Sequence, residues 1–301
     1  MSTDIPLLSI VTITKNVDQW IDDCLRSILE DQGWEDSPGG FELIVVDDKS
    51  TDSTREILAE YAAADPRVRV IDNPNSGGGN ARNEGMAVAR GKYLSFVDGD
   101  DLVPPGAYRA MLRSILETGS DMVVGDFMHF NDRRAWRPPR KWSEGTHAVQ
   151  GTTLRKTPEL IRSRTVWNRM YRLDFLKQAG VQFPNVPRAN DIVPMTVALL
   201  AAKSVDIIPE FVYLYRHRPG GTSMTARAGQ IAGYKSYLTQ ESICSKLILA
   251  TKDPGIIREY RQFAARRFGS SSQSMLKVYG SRARVAVKWR AKRFLGLKNA
   301  E

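Results

Sequence analysis

Three aspartates follow an apolar run in the first third of the chain. The β-rich segment Tyr93–Val97 stops at Asp98, and Gly99, Asp100 and Asp101 come next. A glycine at the end of a strand permits a turn that brings Asp98 and Asp100 into one small volume. Close carboxylates repel each other unless a cation lies between them, and such oxygen ligands suit Mg²⁺ or Mn²⁺ holding substrate phosphates. Taken alone, this segment predicts either a divalent-metal site for a diphosphate or a solvated acidic turn.

The chain before these aspartates alternates between buried strands and amphipathic helices. The β-α-β-α-β-α-β order of short apolar strands predicts a twisted parallel sheet with helices on both faces. Ligands of such sheets bind beyond the carboxyl ends of the strands. All four loops at that edge are polar and two are acidic, which favours the binding site over the solvated turn. These loops are Thr14–Asn16, Asp47–Asp52, Asn75–Asn83 and Asp98–Asp101, after strands predicted at Leu7–Thr14, Phe41–Val46, Arg67–Ile71 and from Tyr93.

The second half of the chain has a less regular pattern. His129–Glu144 is rich in Arg, Pro and Trp, and we interpret it as an acceptor-side loop. From Ala226 onward the pattern is helical, so we predict two parts, residues 1–225 and 226–301. Further helices are predicted from Pro104 to Leu116, at Tyr171–Ala179 and at Asn190–Ala202, and further strands at Asp121–Phe127, Val205–Ile208 and Phe211–Tyr215.

The composition indicates an ordinary globular protein, with 301 residues of which 42% are hydrophobic and 26% charged. Cys24 and Cys244 are far apart and form no disulfide or metal pattern. The N-terminus lacks the pattern of a signal peptide, and no apolar run approaches the roughly 20 residues that span a bilayer. We therefore expect a cytoplasmic protein.

The net charge of +9 is concentrated at the C-terminus. Arg258–Glu301 contains twelve Lys or Arg and two Glu. Within it, Ser281–Lys298 mixes basic residues with Val, Trp, Phe and Leu. Such a segment could contact anionic lipid at the inner face of the cell membrane or attract an anionic polymer, or it could be a solvated tail or a linker to another domain. No recognition module accompanies the charge, so we expect no nucleic-acid partner.

Several ordered segments resemble the family 2 glycosyltransferases, which have the nucleotide-sugar-binding fold called GT-A. The resemblance covers roughly residues 7–223 and implies an α/β, Rossmann-like GT-A domain with a C-terminal helical appendage. Asp98-Gly99-Asp100 resembles the DxD motif of this family. The other matching segments are the opening strand with Lys15 and Asn16, Phe41–Asp52 (FELIVVDDKSTD), Gly77–Gly91 (GGGNARNEGMAVARG) and Trp167–Tyr171 (WNRMY).

The resemblance also implies roles for individual residues. Asp48 would accept a hydrogen bond from the imide N–H of uracil, Asp98 would lie near the ribose and Arg82, and Asp100 would ligate Mn²⁺ or Mg²⁺. Arg216 and His217 resemble a late basic element that closes over the diphosphate, with His217 as a second metal ligand or simply a surface histidine. The implied nucleotide-sugar ligands are Thr14, Asn16, Asp48, Asn80, Arg82, Asp98 and Arg216.

An inverting transfer needs a base that takes the proton from the acceptor hydroxyl. The family places an Asp before a helix, usually preceded by Glu. Asp191 stands at that point and is the candidate base, although it could be a plain helix-capping residue. Asn190 replaces the usual Glu. His129 and His147 show no partner pattern, and we interpret them as structural or incidental.

The implied reaction is transfer of one sugar from a UDP-sugar to an anionic polymer or lipid-linked glycan of the cell envelope, of the teichoic-acid or capsule type. Membrane helices and the Gln-x-x-Arg-Trp motif of processive synthases are not visible. The glycines at Gly77 lack the Gly-Lys-Ser/Thr ending of a P-loop. Two alternatives remain: a sugar-1-phosphate nucleotidyltransferase, although Thr12–Val17 lacks the basic Gly-rich signature, and a non-catalytic nucleotide- or glycan-binding module.

Overall fold

A computed structural model of the chain describes residues 5–36, 39–138, 148–219 and 231–279. Strands and helices alternate through the first half, as the sequence predicts. The strands are β1 (Leu8–Thr14), β2 (Phe41–Asp47), β3 (Val68–Asp72), β4 (Tyr93–Asp98), β5 (Met122–Asn131), β6 (Arg134–Trp136), β7 (Val149–Thr152), β8 (Arg169–Arg172) and β9 (Val205–Arg216). The helices are α1 (Ile21–Leu29), α2 (Thr54–Ala64), α3 (Gly78–Val88), α4 (Ala107–Thr118), α5 (Leu173–Gln178), α6 (Ile192–Ala201), α7 (Ile231–Ala250) and α8 (Pro254–Tyr279), with 3₁₀ turns at Trp34–Asp36 and Pro158–Arg162.

The strands form one mixed sheet in the order β3-β2-β1-β4-β8-β5-β9-β7, and β6 pairs with the far end of β5. The first four strands are parallel, which confirms the sequence prediction for this half. β8 then runs antiparallel to both β4 and β5, while β5 and β9 are parallel to each other. The sheet therefore joins a parallel half to a mixed half.

The three inner strands of the parallel half, β1, β2 and β4, are buried on both faces. Every residue of β2 is buried, including Leu43, Ile44 and Val45. Helix α3 packs closely on β1 at Gly85, where a Cβ atom would lie 2.3 Å from Cγ1 of Val11. Register pairs Thr14 with Asp47 and Ile13 with Asp98, so the carboxyl ends of β1, β2 and β4 are level. Polar residues that follow these ends are therefore brought to one edge.

The mixed half departs from the sequence predictions in three places. The start of His129–Glu144, interpreted as a loop, instead forms the end of β5 and the paired strand β6. Tyr171 was predicted to begin a helix, but it lies in β8, and the helix begins at Leu173. This prediction was wrong because β8 has only four residues, two of them Arg, and pairs with distant strands on both sides. Two predicted strands are instead the single strand β9, which continues through Pro209 with an irregular register against β5.

The C-terminal helices pack against the rest of the chain through a buried ion pair. Arg164 donates to both carboxylate oxygens of Glu241 on α7, at 2.9 and 3.0 Å, and the two side chains are only 3% and 4% exposed. Burial alone would raise the pKa of the Glu241 carboxyl, but Arg164 lowers it below its usual value. The predicted boundary near residue 226 lies outside the described residues and stays a prediction. In the described ranges, no helix is long and apolar enough to cross a membrane.

Replacement of Arg164 by Ala should lower the free energy of unfolding by about 3–5 kcal/mol, because Glu241 would be left buried without its partner. Urea unfolding followed by circular dichroism measures the change. Arg26→Ala is the control, since its ion pair with Asp22 is exposed on the surface of α1, and its urea midpoint should equal that of the parent. An unchanged midpoint for Arg164→Ala would contradict the stabilising role of this pair.

Candidate active site

The acidic turn after β4 lies at the level edge of the parallel strands. The backbone N–H of Gly99 donates to the carbonyl of Ile13, and the N–H of Asp101 donates back to the carbonyl of Asp98, both at 2.9 Å. A Cβ atom on residue 99 would lie 2.7 Å from Cγ2 of Thr14. Glycine is therefore required here for close packing against β1, and the turn gathers the aspartates as the sequence predicted.

Two of the aspartates are paired with arginines from distant parts of the chain. Arg82 of α3 donates to Asp98 at 2.6 Å, and Arg218, which follows β9, donates to Asp100 at 2.5 Å. The guanidinium of Arg218 also lies 4.5 Å from the ring centre of Trp20. The acidic turn is thus placed between two cations, which suits a site that receives anionic phosphates.

The third aspartate, Asp101, is buried and held by β9. Its carboxylate accepts hydrogen bonds from the hydroxyl of Tyr213 and from the backbone N–H of Arg216, both at 2.7 Å. The Arg216 side chain donates to the carbonyl of Asp100 at 2.7 Å and to Asp23 at 3.3 Å. Asp101 and Arg216 therefore fasten the end of β9 to the acidic turn.

Burial and mutual repulsion raise the pKa of two of these carboxylates, Asp98 and Asp101. Burial raises the pKa of Asp98, and the charge of Asp100 raises it further against the opposing effect of Arg82. Burial, followed by the charges of Asp100 and Asp98, raises the pKa of Asp101 well above its usual value. A bound cation would relieve this repulsion.

The donor set fits a hard divalent cation only in part. Asp100 offers carboxylate oxygens of the kind that Mg²⁺ and Mn²⁺ prefer, with waters and substrate phosphates filling the other positions. Across the residues that the structure describes, no group of three or more His, Cys, Asp or Glu is arranged to hold a metal. The described contact of the His217 ring is with His129 and not with Asp100: His217 Nε2 lies 2.8 Å from Nδ1 of His129. Asp100 is therefore the residue that would hold the ion, and the ligand role of His217 stays a prediction.

Asp48 is held rigidly at the end of β2. It accepts hydrogen bonds from Asn73 at 2.7 Å, from the backbone N–H of Gly77 at 2.8 Å and from Lys15 at 3.0 Å. Burial alone would raise the pKa of Asp48, but these bonds lower it below its usual value. Asp48 is therefore an ionised acceptor whose position is fixed.

The other predicted nucleotide ligands lie along the same edge, with local partners. Asn16 has a positive φ of 51° and its side-chain oxygen accepts from the N–H of Thr51 at 2.8 Å. The Thr14 hydroxyl lies 3.2 Å from Asp47, and the Asn80 amide donates to Ser76 at 3.2 Å. Thr14 is buried within the sheet end, whereas Asn16 and Asn80 are at the rim.

Arg82 connects the acidic turn to the candidate base. Besides Asp98, it donates to the side-chain oxygen of Asn190 at 2.9 Å, across 108 positions of sequence. Asp191 follows at the start of α6, and its carboxylate makes no capping hydrogen bond. Burial raises the pKa of Asp191, against the opposing effect of Arg82. Asp191 thus follows a residue that Arg82 joins to the acidic turn, and its carboxylate does not cap the helix.

Some residues of the site escaped the sequence analysis. Arg218, Tyr213 and Asn73 contact the predicted carboxylates directly. The signal for Arg218 was its place directly after the predicted basic element Arg216 and His217. Tyr213 is found only once the pairing of β9 is known. His129, interpreted as structural or incidental, contacts His217, and His147 lies outside the described residues.

The α/β sheet with its parallel first half and helical C-terminal part is the architecture called the GT-A fold. The chain belongs to the family "Glycosyl transferase family 2", whose model matches residues 9–180.

Several relatives of the chain are also named as glycosyltransferases. The uncharacterized glycosyltransferase EpsJ of Bacillus subtilis is 32% identical over 219 residues, which are 71% of this chain and 62% of EpsJ. Glycosyltransferase GlyG of Streptococcus pneumoniae is 28% identical, over 73% of each chain. The poly(ribitol-phosphate) beta-glucosyltransferase of Bacillus spizizenii is 30% identical over 72% of this chain and 33% of its own length. The match thus spans less than two thirds of some of these proteins.

Solved structures show the same fold. The crystal structure of Staphylococcus aureus TarS 1-349 with UDP-GlcNAc has a TM-score of 0.77 and 22% identity, covering 96% of this chain and 79% of TarS 1-349. The mannosyltransferase PcManGT of Pyrobaculum calidifontis, in complex with GDP-Man and Mn²⁺, has a TM-score of 0.60 and 15% identity, covering 99% and 88%. At these identities the likeness shows the fold alone.

Proposed function

We propose that the protein is a metal-dependent, inverting glycosyltransferase that moves a single sugar from a UDP-sugar to a hydroxyl of a cell-envelope polymer or lipid-linked glycan. The observation that carries this proposal is the position of Arg82. One guanidinium contacts both the acidic turn, at Asp98, and Asn190, the neighbour of the candidate base Asp191. Groups for the leaving nucleotide and for the attacking hydroxyl therefore belong to one connected site.

Asp48 would recognise the uracil ring. An ionised carboxylate accepts a hydrogen bond from the imide N–H of uracil, and its three fixed partners prevent it from turning away. Cytosine presents an acceptor nitrogen at the same ring position and would be repelled. The complexes of TarS with UDP and with UDP-GlcNAc support a uridine donor.

The diphosphate would lie over the acidic turn. Asp100 would hold Mg²⁺ or Mn²⁺, which when bound neutralises the charge that develops on departing UDP. Arg216 and Arg218 approach the same turn from β9 and would contribute positive charge on the phosphate side. PcManGT, a fold neighbour, was solved with Mn²⁺.

Asp191 would act as the general base. The acceptor hydroxyl would give its proton to the Asp191 carboxylate as its oxygen attacks the anomeric carbon, on the face opposite the leaving UDP, so the configuration inverts. The raised pKa of Asp191 makes it a stronger base than an exposed aspartate. Because Asn190 is neutral, the residue before Asp191 adds no second negative charge next to the candidate base.

The names of the relatives support a cell-envelope acceptor. They include the poly(ribitol-phosphate) beta-glucosyltransferase and a putative teichuronic acid biosynthesis glycosyltransferase of Bacillus subtilis, TuaG, 40% identical over 97 residues. We propose a cytoplasmic site of action, with contact to the inner membrane face through the basic segment Ser281–Lys298, which lies outside the described residues. Binding of an anionic polymer by the same segment is the alternative partner.

Replacement of Asp48 by Asn tests the nucleotide assignment, because it keeps the shape and replaces one carboxylate oxygen by an NH2 donor. The amide oxygen would stay with the donors Asn73 and Gly77, so the NH2 would face the imide N–H of uracil. We expect the ratio of UDP to CDP affinity to fall at least tenfold. Isothermal titration with UDP and CDP in the presence of Mn²⁺ measures both affinities.

Asp174→Asn, on the surface of α5, is the control for this titration and should leave both affinities unchanged. Equal affinities of the parent for UDP and CDP would contradict the assignment. UDP release by the parent with UDP-hexose and UDP-N-acetylhexosamine donors then tests transfer. Tight UDP binding without turnover of any acceptor would favour the non-catalytic module.

A further inference from the structure

Three strands present aromatic rings in one row at the edge of the mixed half of the sheet. Register places His129 of β5 directly opposite Trp136 of β6 on one side and Tyr215 of β9 on the other. Directly opposite residues share a face of the sheet. His217 lies two positions beyond Tyr215, and its ring also contacts this row. We call His129, Trp136, Tyr215 and His217 the aromatic wall.

The rings of the aromatic wall form one cluster of contacts, in which they meet at tilted or edge-on angles. Ring centres lie 5.8 Å apart for His129 and Trp136, 5.2 Å for His129 and Tyr215, and 5.0 Å for Trp136 and His217. His217 is exposed and the other three are partly exposed. Aromatic side chains in a well-packed region usually turn their faces inward, so an accessible row of four rings indicates a binding surface.

The two imidazoles of the aromatic wall share a hydrogen bond. The 2.8 Å contact between His217 Nε2 and His129 Nδ1 requires that one of these nitrogens be an unprotonated acceptor. The rings therefore do not form a cluster of fixed positive charges like an arginine cluster, which favours the uncharged face of a ligand on the rings themselves.

The aromatic wall is continuous with the acidic turn. Trp167 packs beside Tyr215, with ring centres 5.8 Å apart, and stacks on Tyr213 at 4.3 Å. The Tyr213 hydroxyl donates to Asp101 and accepts from the backbone N–H of Asp98. Trp167 and Tyr213 are buried, so they link the two through the interior. His217 lies in the chain between Arg216 and Arg218, which both contact Asp100. A ligand on the wall would therefore lie next to the acidic turn.

We infer that the aromatic wall binds a pyranose ring of the acceptor glycan, with the C–H face of the sugar against the rings. This inference rests on the proposed function. The C–H groups of a sugar carry small positive charges and the faces of aromatic rings are negative, so the two attract and both lose contact with water. Arg134, whose guanidinium lies 5.1 Å from the ring centre of Trp136, would contact anionic substituents beside the ring.

NMR titration of the full chain in Mg²⁺ and UDP tests this inference. The probes are chitotetraose, cellotetraose and maltotetraose, which are neutral oligosaccharides of pyranose rings. We expect the indole N–H resonance of Trp136 and the imidazole resonances of His129 and His217 to shift with at least one probe. The indole of Trp34, which stacks on Phe41 in another part of the fold, should not move.

The outcomes separate this inference from the proposed function. UDP that fails to bind the parent would overturn the proposed function. UDP binding without a Trp136 shift from any oligosaccharide would overturn only the aromatic wall as a sugar site. Shifts caused by inorganic polyphosphate, and not by the neutral probes, would also overturn it.

Once an acceptor that supports turnover is known, substitution of Trp136 provides a second test of the aromatic wall. Trp136→Ala should raise the acceptor KM about three- to tenfold, the range expected for loss of one ring contact. The donor KM and the UDP affinity should not change, and Trp136→Phe should restore most of the acceptor affinity. Leu116→Ala, an exposed apolar residue on α4, is the control. A Trp136→Ala variant with the acceptor KM of the parent would overturn the inference.

Discussion

The Asp191→Asn variant is expected to transfer sugar about 10³-fold more slowly than the parent while binding UDP equally well. The asparagine keeps the shape of the side chain but cannot accept the proton of the acceptor hydroxyl, and positioned general bases contribute roughly 10²–10⁴-fold. The fold should not suffer, because the Asp191 carboxylate makes no capping hydrogen bond to α6. Initial rates of UDP release with saturating donor and acceptor measure the loss.

The pH profile of the parent adds a second readout. Because burial raises the pKa of Asp191, its base form is lost as the pH falls through that raised value, and transfer should decline on the acidic side. In Asp191→Asn the residual rate should lose this dependence. The surface variant Asp174→Asn serves as the control and should keep both the rate and the profile of the parent. A fully active Asp191→Asn enzyme would rule out Asp191 as the base.

Replacement of Asp100 by Ala should remove most of the nucleotide binding that depends on metal. The carboxylate of Asp100 is the group at the acidic turn that would hold the ion between protein and diphosphate, so its loss should weaken UDP binding in Mn²⁺ roughly hundredfold and reduce turnover at least as much. Titration of UDP with and without Mn²⁺ measures the effect, and the difference between the two conditions should disappear in the variant.

Asp132→Ala, in the exposed turn between β5 and β6, is the matched control for loss of a carboxylate. It should retain the Mn²⁺ dependence of the parent. Chelation of divalent ions by EDTA should reproduce the Asp100→Ala defect in the parent. An Asp100→Ala variant that, in EDTA, transfers sugar as fast as the untreated parent would contradict a metal-bound diphosphate.

The parallel half of the fold and the edge that carries the candidate site follow from local sequence patterns. The strands β1, β2 and β4 are contiguous apolar runs, and their burial on both faces follows from composition alone. The acidic residues that follow β2 and β4 are adjacent in sequence to those strands. Local pattern was sufficient because each feature is encoded within a few neighbouring residues.

The distant side chains that complete the candidate site are brought together only by the folded arrangement of the strands. Arg82 meets Asn190, and Arg218 meets Asp100, across more than one hundred positions. The aromatic wall depends on the pairing of β5 with both β6 and β9, and β8 lies between β4 and β5 although it follows them in the chain. These contacts depend on strand order and register, which no local pattern specifies, because the same alternating residues could pair in many ways until the whole sheet is assembled.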